Sequence, residues 1–293
     1  MNPVESIAPS RPDPASAETP RRKRRSSPHV IAITSGKGGV GKTNLAANLA
    51  WQLRQMRRRV MIMDADLGLA NIDILLGLNP EFNISHVLAG RKRLSEILVK
   101  GPGGVKVLPA SSGLIEVGDL TDAQKLTLLE QLEELEDAFD YLLIDTSAGI
   151  SSNVVYFALA AQTILVVLTP EPTSLADAYA VIKVLSTTYR QNAFKVVLNE
   201  VSGEDEALGV FKKLTTVTDR FLNVSLDYLG FMPRDARVRE SVRAQRAFAE
   251  AHPDSPAALA VKRLAKRILS LESDPLQSDL GLLWRNILIE RAA

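Results

Sequence analysis

Short apolar runs alternate with longer amphipathic stretches along most of this chain. From residue 29 onward, runs rich in Val, Ile and Leu predict strands at 30–34, 60–64, 105–108, 141–145, 163–168, 195–199 and 228–232. Between them, apolar positions recur at helical spacing and predict helices at 42–56, 121–137, 174–190, 206–222 and 255–271. Several strands are apolar at consecutive positions, which is typical of parallel strands covered on both faces. The pattern therefore predicts an α/β fold, a three-layer, doubly wound and mostly parallel sheet.

The two ends of the chain depart from this pattern. Residues 1–28 contain many of the 15 prolines, a basic run at 21–25 and almost no apolar side chain, so they predict a disordered tail. Contact of the basic run with anionic lipid or nucleic acid and a simply solvated tail both stay open. At the other end, apolar residues share one face of a predicted helix at 276–291. We therefore expect a tail at 1–28, one globular domain at 29–271 and an amphipathic helix within 272–293.

Composition narrows the chemistry that the chain can perform. Its 293 residues include no cysteine, which excludes disulfides, thiolate metal sites, cysteine nucleophiles and cysteine-ligated iron-sulfur clusters. The three histidines lie in different segments and predict no metal cluster. A formal net charge of +1 argues against a surface covered by a nucleic-acid-binding field. No run approaches the ~18 apolar residues of a spanning helix, and no apolar signal-peptide core is present, so we expect a cytoplasmic protein.

A glycine-rich loop follows the first predicted strand and precedes the first predicted helix. Residues 36–43 fit the P-loop pattern G-x-x-x-x-G-K-[ST]. Glycines let consecutive backbone N–H groups turn toward one centre, and the helix N-terminus adds its positive dipole end, so the loop can wrap a polyphosphate. Lys42 would reach the β- and γ-phosphates, and Thr43 would bind Mg²⁺. The loop therefore predicts a polyphosphate ligand and Mg²⁺ as cofactors, and the family resemblance described below implies that the polyphosphate is ATP.

Carboxylates stand at the ends of two predicted strands. Asp145 follows four apolar residues, which places it at the sheet edge where open α/β sheets bind ligands. A P-loop enzyme needs such an acid to hold Mg²⁺, and a further group to orient the attacking water. Asp64 also ends a strand, and it can be either a magnesium-related residue or an ordinary strand-end carboxylate. The predicted metal-binding residues are thus Thr43, Asp64 and Asp145.

The loop carries a second lysine, Lys37, and here it resembles the deviant Walker A motif of the MinD/ParA ATPases. In that family this lysine crosses to the partner subunit and contacts the phosphates of its ATP, so the resemblance implies that Lys37 couples ATP binding to dimerisation. A lysine one residue past the turn can also be only a surface charge. Residues 64–73 resemble the family's switch I, and residues 145–149 resemble its switch II. The resemblance implies that Asp66 positions the hydrolytic water and that Asp145 meets Mg²⁺ through water.

Two further segments resemble the parts of the family that hold the base. Asn199 resembles the adenine-reading asparagine, and Pro233 and Arg234 resemble the loop that closes over the base. The implied catalytic residues are Lys37, Lys42 and Asp66. The implied cofactor-binding residues are Gly36, Lys37, Gly38, Gly39, Val40, Gly41, Lys42, Thr43, Asn44, Asn199, Pro233 and Arg234.

Over roughly residues 29–270 the chain resembles the flagellar-number regulators, called FleN in some bacteria and FlhG in others. Segments at 101–113, 171–179 and 213–222 carry this resemblance beyond the P-loop. It implies an ATP-dependent homodimeric switch that limits flagellar number, in the FleN branch by binding and restraining FleQ, a σ54-type transcription activator. Many FlhG proteins begin with an activator motif for the GTPase FlhF. Residues 1–28 contain nothing like that motif, which weighs against FlhF as a partner.

Other functions stay open. A ParA-type DNA-segregation ATPase would need a basic surface, part of which could come from Arg234, Arg237, Arg239, Arg243 and Arg246, although the near-neutral net charge makes direct DNA binding unexpected. A MinD-like polar positioning ATPase and a nucleotide-held scaffold without turnover are further alternatives. MinD-type proteins hold membrane with a C-terminal amphipathic helix, so 276–291 predicts either peripheral contact with the inner membrane or cell pole, or packing on the chain itself or on a partner.

Overall fold

Eight strands form one sheet in the computed structural model, which describes residues 28–110 and 119–271. The strands are β1 His29–Ser35, β2 Val60–Ala65, β3 Val99–Lys100, β4 Lys106–Leu108, β5 Tyr141–Ala148, β6 Thr163–Leu168, β7 Ala193–Val201 and β8 Ser225–Pro233. Their order is β3-β4-β2-β5-β1-β6-β7-β8. Neighbours are parallel except β3 with β4. The predicted α/β fold with a mostly parallel sheet is therefore confirmed.

Eleven helices are present in the described residues. They are α1 Lys42–Gln55, α2 Ile72–Leu75, α3 Ile84–Leu88, α4 Leu94–Ile97, α5 Asp122–Glu133, α6 Ser152–Leu159, α7 Pro172–Tyr189, α8 Glu204–Phe221, α9 Ala236–Arg243, α10 Phe248–Ala251 and α11 Pro256–Leu269. The five predicted helices correspond to α1, α5, α7, α8 and α11. The helix predicted at 121–137 is shorter than expected, because α5 ends at Glu133 and a separate 3-10 turn covers Glu136–Ala138.

Strand β1 shows why this sheet is covered on both faces. Ile31 and Ile33 pack in a cluster with residues of α1, α10 and α11, whereas Val30 and Ala32 pack in a second cluster with residues of α5 and α6. A third cluster joins β6 and β7 to α7 and α8. Because successive side chains of a strand point to opposite faces, consecutive apolar residues are buried on both sides. This is the three-layer arrangement that the sequence predicts.

The predictions for the tail at 1–28, apart from Pro28, and for the amphipathic helix at 276–291 lie outside the described residues. Among the helices that the structure does describe, none has both the length and the apolar character needed to span a membrane.

Candidate active site

The P-loop lies between β1 and α1, at the edge of the sheet where the parallel strands end. Gly39 and Gly41 have φ angles of 79° and 93°, a left-handed region that other residues rarely adopt. Gly41 is the N-cap of α1 and provides no side-chain capping bond. The first turn of an α-helix leaves its backbone N–H groups without intrahelical partners, so this end of α1 is suited to an anion.

Close packing fixes the loop from both sides. A Cβ atom on Gly36 would lie 2.1 Å from the carbonyl oxygen of Asp177 in α7. A Cβ atom on Gly41 would lie 2.2 Å from the side-chain nitrogen of Asn199. Only glycine fits at these two positions, so α7 and the end of β7 hold the loop in place.

Lys42 is the cation at the centre of the site. Its side chain is buried, and Nζ donates a hydrogen bond of 2.8 Å to Oγ of Ser35. The Ser35 hydroxyl donates in turn to the carbonyl oxygen of Lys37, at 2.7 Å. Burial lowers the pKa of Lys42, and the carboxylates of Asp145 and Asp66 act in the opposite direction. Lys42 is thus held near two acids at the wall of a cleft of about 400 Å³.

Asp145 lies beside the P-loop in the core of the sheet. It is 1% exposed, and burial together with the neighbouring Asp64 raises its pKa to about 8. The Thr43 side chain and the charge of Lys42 act in the opposite direction on this pKa. The Oδ1 atom of Asp145 is buried and has no hydrogen-bond partner. A buried carboxylate oxygen next to the P-loop threonine suits a hard divalent cation, which prefers oxygen ligands.

Asp64 holds the loop that follows β2. It pairs with Asp145 in the register of β2 and β5 and is fully buried. Its carboxylate accepts hydrogen bonds from three backbone N–H groups: Asp66 at 3.1 Å, Asn71 at 2.9 Å and Ile72 at 3.1 Å. Burial raises the pKa of Asp64 to about 7. Asp64 therefore anchors residues 66–72, while its magnesium-related role stays a prediction.

Asp66 lies on this anchored loop and lines the same cleft as Lys42 and Thr43. Its side chain is half-buried, and Nδ2 of Asn71 lies 3.4 Å from its Oδ2. Burial raises the pKa of Asp66, and Lys42 counteracts that effect. The structure thus brings together four predicted site residues, Lys42, Thr43, Asp66 and Asp145. Water positioning by Asp66 stays a prediction.

A second and larger cleft, of about 790 Å³, continues from the first. Asn199, Pro233 and Arg234 line it, as the resemblance implies for the base. Nδ2 of Asn199 donates to the Val40 carbonyl oxygen at 2.7 Å, and Nε of Arg234 donates to the carbonyl oxygen of Glu200 at 2.8 Å. The two clefts share four lining residues, Gly39, Gly41, Asn44 and Val242. Together they form a trough whose smaller part is lined by Lys42, Thr43 and Asp66 and whose larger part is lined by Asn199, Pro233 and Arg234.

Lys37 lies apart from these residues. It lines neither cleft, and its Nζ contacts Oε2 of Glu171 at 2.5 Å and Oγ1 of Thr173 at 3.2 Å, at the start of α7. Among the predicted loop residues, Val40 also differs, because its side chain is buried in the core and only its carbonyl oxygen serves the site, through Asn199.

Comparison with known proteins agrees with this geometry. A family profile described as an AAA domain matches residues 28–197. The antiactivator FleN of Pseudomonas aeruginosa is 48% identical over 239 residues, which cover 82% of this chain and 85% of FleN. The flagellum site-determining protein YlxH of Helicobacter pylori is 32% identical over 249 residues, 84% of each chain.

Solved structures of MinD proteins also resemble this chain. The cell division ATPase MinD of Pyrococcus furiosus superposes with a TM-score of 0.66 at 28% identity, covering 83% of this chain and 99% of that one. MinD of Pyrococcus horikoshii, solved with Mg-ADP, gives a TM-score of 0.66 at 25% identity and covers 84% and 97%. The chain belongs to the MinD/ParA family of ATPases. The predicted resemblance and the predicted ATP hydrolysis are therefore confirmed, while the assignment of the trough to the nucleotide stays a prediction.

In this MinD/ParA ATPase, helix α9 is the part of the site that the sequence prediction missed. Its residues Val238, Arg239, Val242 and Arg243 line the larger cleft. Two signals for α9 are present in the sequence. Asp235, directly after Pro233 and Arg234, caps the helix by accepting from the backbone N–H of Arg237 at 2.9 Å, and Val238 and Val242 are spaced i, i+4.

Proposed function

We propose that the chain is an ATP-dependent switch that limits flagellar number by binding and restraining a σ54-type transcription activator of the FleQ kind. The observation that supports this most is the 48% identity to FleN, whose name describes it as an antiactivator, over 82% of the chain. The trough, in which Lys42 lies near Asp66 and Asp145, supports regulation through ATP binding and hydrolysis.

Mg²⁺ is part of this proposal. Thr43 and Asp145 would hold the ion, as supported by the buried Oδ1 of Asp145 that has no hydrogen-bond partner. When bound, the ion neutralises charge on the phosphates. Lys42 would bind the phosphates, and Asp66 would orient the attacking water from the loop that Asp64 anchors.

Dimerisation in the ATP-bound state is also proposed. Four apolar side chains on or next to the segments that carry the predicted site residues are exposed, and we call them the rim: Leu69 71%, Ile74 59%, Ile150 51% and Val242 39%. Ile74 and Val242 line the smaller cleft itself. Exposed apolar residues grouped around a site mark a surface that another molecule covers. A second copy of the chain, placed face to face, would cover this rim and bring its Lys37 toward the nucleotide.

Flagellar number in the host tests the proposal. Deletion of the gene is expected to increase the number of flagella per cell, counted by electron microscopy. Expression of the unchanged chain restores the number, whereas Lys42→Ala does not. Lys262→Ala, which changes an exposed lysine of α11, serves as the matched control and restores it. An unchanged number in the deletion strain would refute the flagellar role.

The partner is tested with purified proteins. The chain loaded with a non-hydrolysable ATP analogue is expected to bind the activator and to lower the activator's own ATPase rate, and the Lys42→Ala variant is expected to do neither. ATP-dependent and salt-sensitive binding to non-specific DNA, without activator binding, would instead indicate a DNA-segregation role. The structure offers limited support for that alternative, because Arg237 and Arg246 pair with Glu240 and Glu250.

A further inference from the structure

Gln245 follows α9 with an unusual backbone conformation. Its φ angle is 52°, in the left-handed region that non-glycine residues seldom occupy. Such conformations persist where the surroundings determine them, and they concentrate at functional sites. Its side chain reaches across to the next element, because Nε2 donates to the carbonyl oxygen of Ile74 in α2 at 3.0 Å. Neither the sequence pattern nor the resemblance assigns a role to Gln245.

The contact between Gln245 and α2 is supported by the backbone on the α2 side. Gly77, just after α2, has a φ angle of 62°. A Cβ atom there would lie 3.3 Å from the carbonyl oxygen of Gln245 and 3.4 Å from its Cβ. The C-terminal ends of α2 and α9 therefore meet through both a hydrogen bond and close packing.

The loop that carries Asp66 leads directly into helix α2. The backbone N–H groups of Asn71 and Ile72, at the start of α2, both donate to the buried carboxylate of Asp64. The N–H of Asp66 donates to the same carboxylate. A displacement of α2 would therefore strain the short segment 66–72, because both of its ends bond to one fixed acid, and would change the placement of Asp66 within it.

Helix α9 connects the same contact to the base end of the trough. It begins after Pro233 and Arg234, which line the larger cleft, and Val242 in its last turn lines both clefts. Its eight residues span about 12 Å, at about 1.5 Å per residue. A base that seats against the start of α9 thus acts on an element whose other end holds α2.

We infer that Gln245 is a positioning residue that couples seating of the nucleobase on α9 to placement of Asp66 through α2. The hydrolysis rate of the bound nucleotide then depends on the base, although the base lies far from the reacting phosphate. This inference depends on the ATPase site and on the proposed role of Asp66, and it does not depend on the flagellar partner. A negative result in the flagellar experiments would leave it unaffected.

Gln245→Gly tests the inference, because glycine keeps the left-handed backbone and removes only the side chain. Single-turnover hydrolysis is measured at saturating ATP and at saturating GTP. The ATP rate is expected to fall roughly three- to tenfold, the scale of one lost hydrogen bond, while ATP affinity stays unchanged. The ratio of the ATP rate to the GTP rate falls toward one. Gln245→Asn keeps the amide on a side chain that is one methylene too short, and it is also expected to lower the ATP rate and the ratio of the two rates.

Two controls separate coupling from simple capping of α2. Arg190→Gly alters another left-handed residue, φ 56°, at the C-terminal end of α7, and is expected to leave both rates unchanged. In an Asp66→Ala background, Gln245→Gly is expected to cause no further loss, because groups that act through one another are non-additive. An unchanged rate and ratio in Gln245→Gly, a fully additive loss in the Asp66→Ala background, or a loss confined to ATP affinity would overturn the inference.

Discussion

At the scale of single residues, Lys42 and Asp66 line the same cleft but are held differently. Lys42 is buried and bonded to Ser35, whereas Asp66 is half-buried on a loop. Lys42→Ala is expected to lose ATP binding, because it removes the cation that faces the phosphates. Asp66→Ala is expected to bind ATP normally and to hydrolyse it roughly 10²-fold more slowly, since positioning the water matters on the way to the transition state.

Titration with a fluorescent ATP analogue and single-turnover hydrolysis distinguish these two outcomes. Lys212→Ala, an exposed lysine on α8, provides a matched control for the loss of a positive charge. A similar loss of nucleotide affinity in Lys42→Ala and Asp66→Ala would contradict the assignment of separate roles.

Asp145 gives a prediction about pH. Its folded-state pKa is raised to about 8, above the value of about 3.9 expected in the unfolded chain. The protonated acid therefore favours folding below about pH 4, and this contribution is lost as the pH rises through about 8. Without nucleotide and Mg²⁺, Asp145→Asn should be more stable than the unchanged chain at pH 8, by about 1 kcal/mol or more, because the amide does not ionise.

Urea denaturation at pH 5 and pH 8, in the presence of a chelator, measures this effect. The pH dependence should decrease without disappearing, because burial also raises the pKa of Asp64 to about 7. Asp219→Asn, at an exposed position in α8, is the control and should show the unchanged slope. An identical slope in Asp145→Asn would show that the buried acid does not govern this dependence.

The residues of the site differ in how far the sequence alone could place them. Lys42, Thr43 and Asp145 follow from local rules, because a P-loop and an acid at a strand end meet wherever parallel strands share an edge. The bond from Gln245 to Ile74 joins residues 171 positions apart, and no local pattern contains it. The anchoring role of Asp64 depends on the path of the backbone from Asp66 to Ile72, which sequence spacing does not determine.

At the scale of elements, two helices show why some structure escaped prediction. Helix α6 has a run of buried residues from Val154 to Ala158, so it lacks the polar face that makes a helix visible as an amphipathic period. Helix α9 has the opposite character, with three arginines and only two valines among its eight residues. The strands were easier to predict, because burial on both faces leaves uninterrupted apolar runs.

The loop after β2 supplies a prediction at this scale. Asp64→Ala removes the acceptor of three backbone N–H groups, of which the one at Ile72 is buried. Leaving a buried donor unpaired costs about 1–3 kcal/mol, so the free energy of unfolding should fall by roughly that amount. The amides of Asn71 and Ile72 should also exchange with solvent much faster.

Urea denaturation measures the free energy of unfolding, and hydrogen exchange followed by mass spectrometry measures the exchange of the Asn71 and Ile72 amides. Asp219→Ala removes an exposed carboxylate from α8 and should change neither quantity. Unchanged exchange in the peptide that covers 66–72 would show that other contacts hold the loop.

At the scale of the whole molecule, the position of Lys37 fits a residue that acts outside its own subunit. It contacts Glu171 and Thr173 at the start of α7 and lines neither cleft. The rim residues Leu69, Ile74, Ile150 and Val242 are exposed and apolar. A lysine that reaches a partner's nucleotide must first leave Glu171. If the chain dimerises as proposed, the ion pair is a contact of the monomer that competes with dimerisation.

Two variants test this competition in opposite directions. Lys37→Ala should abolish the dimer that forms with a non-hydrolysable ATP analogue, because the cross-subunit contact is lost while ATP still binds through Lys42. Glu171→Gln should instead favour the dimer, since Lys37 is released. The pair is largely exposed, with side chains 39% and 61% accessible, and exposed ion pairs contribute little, so the gain should not exceed about fivefold for each of the two pairs that the dimer releases, or about 25-fold in the dimer dissociation constant.

Sedimentation velocity across a range of protein concentrations, with ADP and with the ATP analogue, measures both constants. Lys92→Ala breaks another ion pair at the surface, with Glu96, and should leave the dimer unchanged. Raised salt should weaken the Lys37–Glu171 pair through screening, so the difference between Glu171→Gln and the unchanged chain should shrink as salt increases. A full dimer in Lys37→Ala would show that the lysine is only a surface charge, and the apolar rim would then have to account for dimerisation alone.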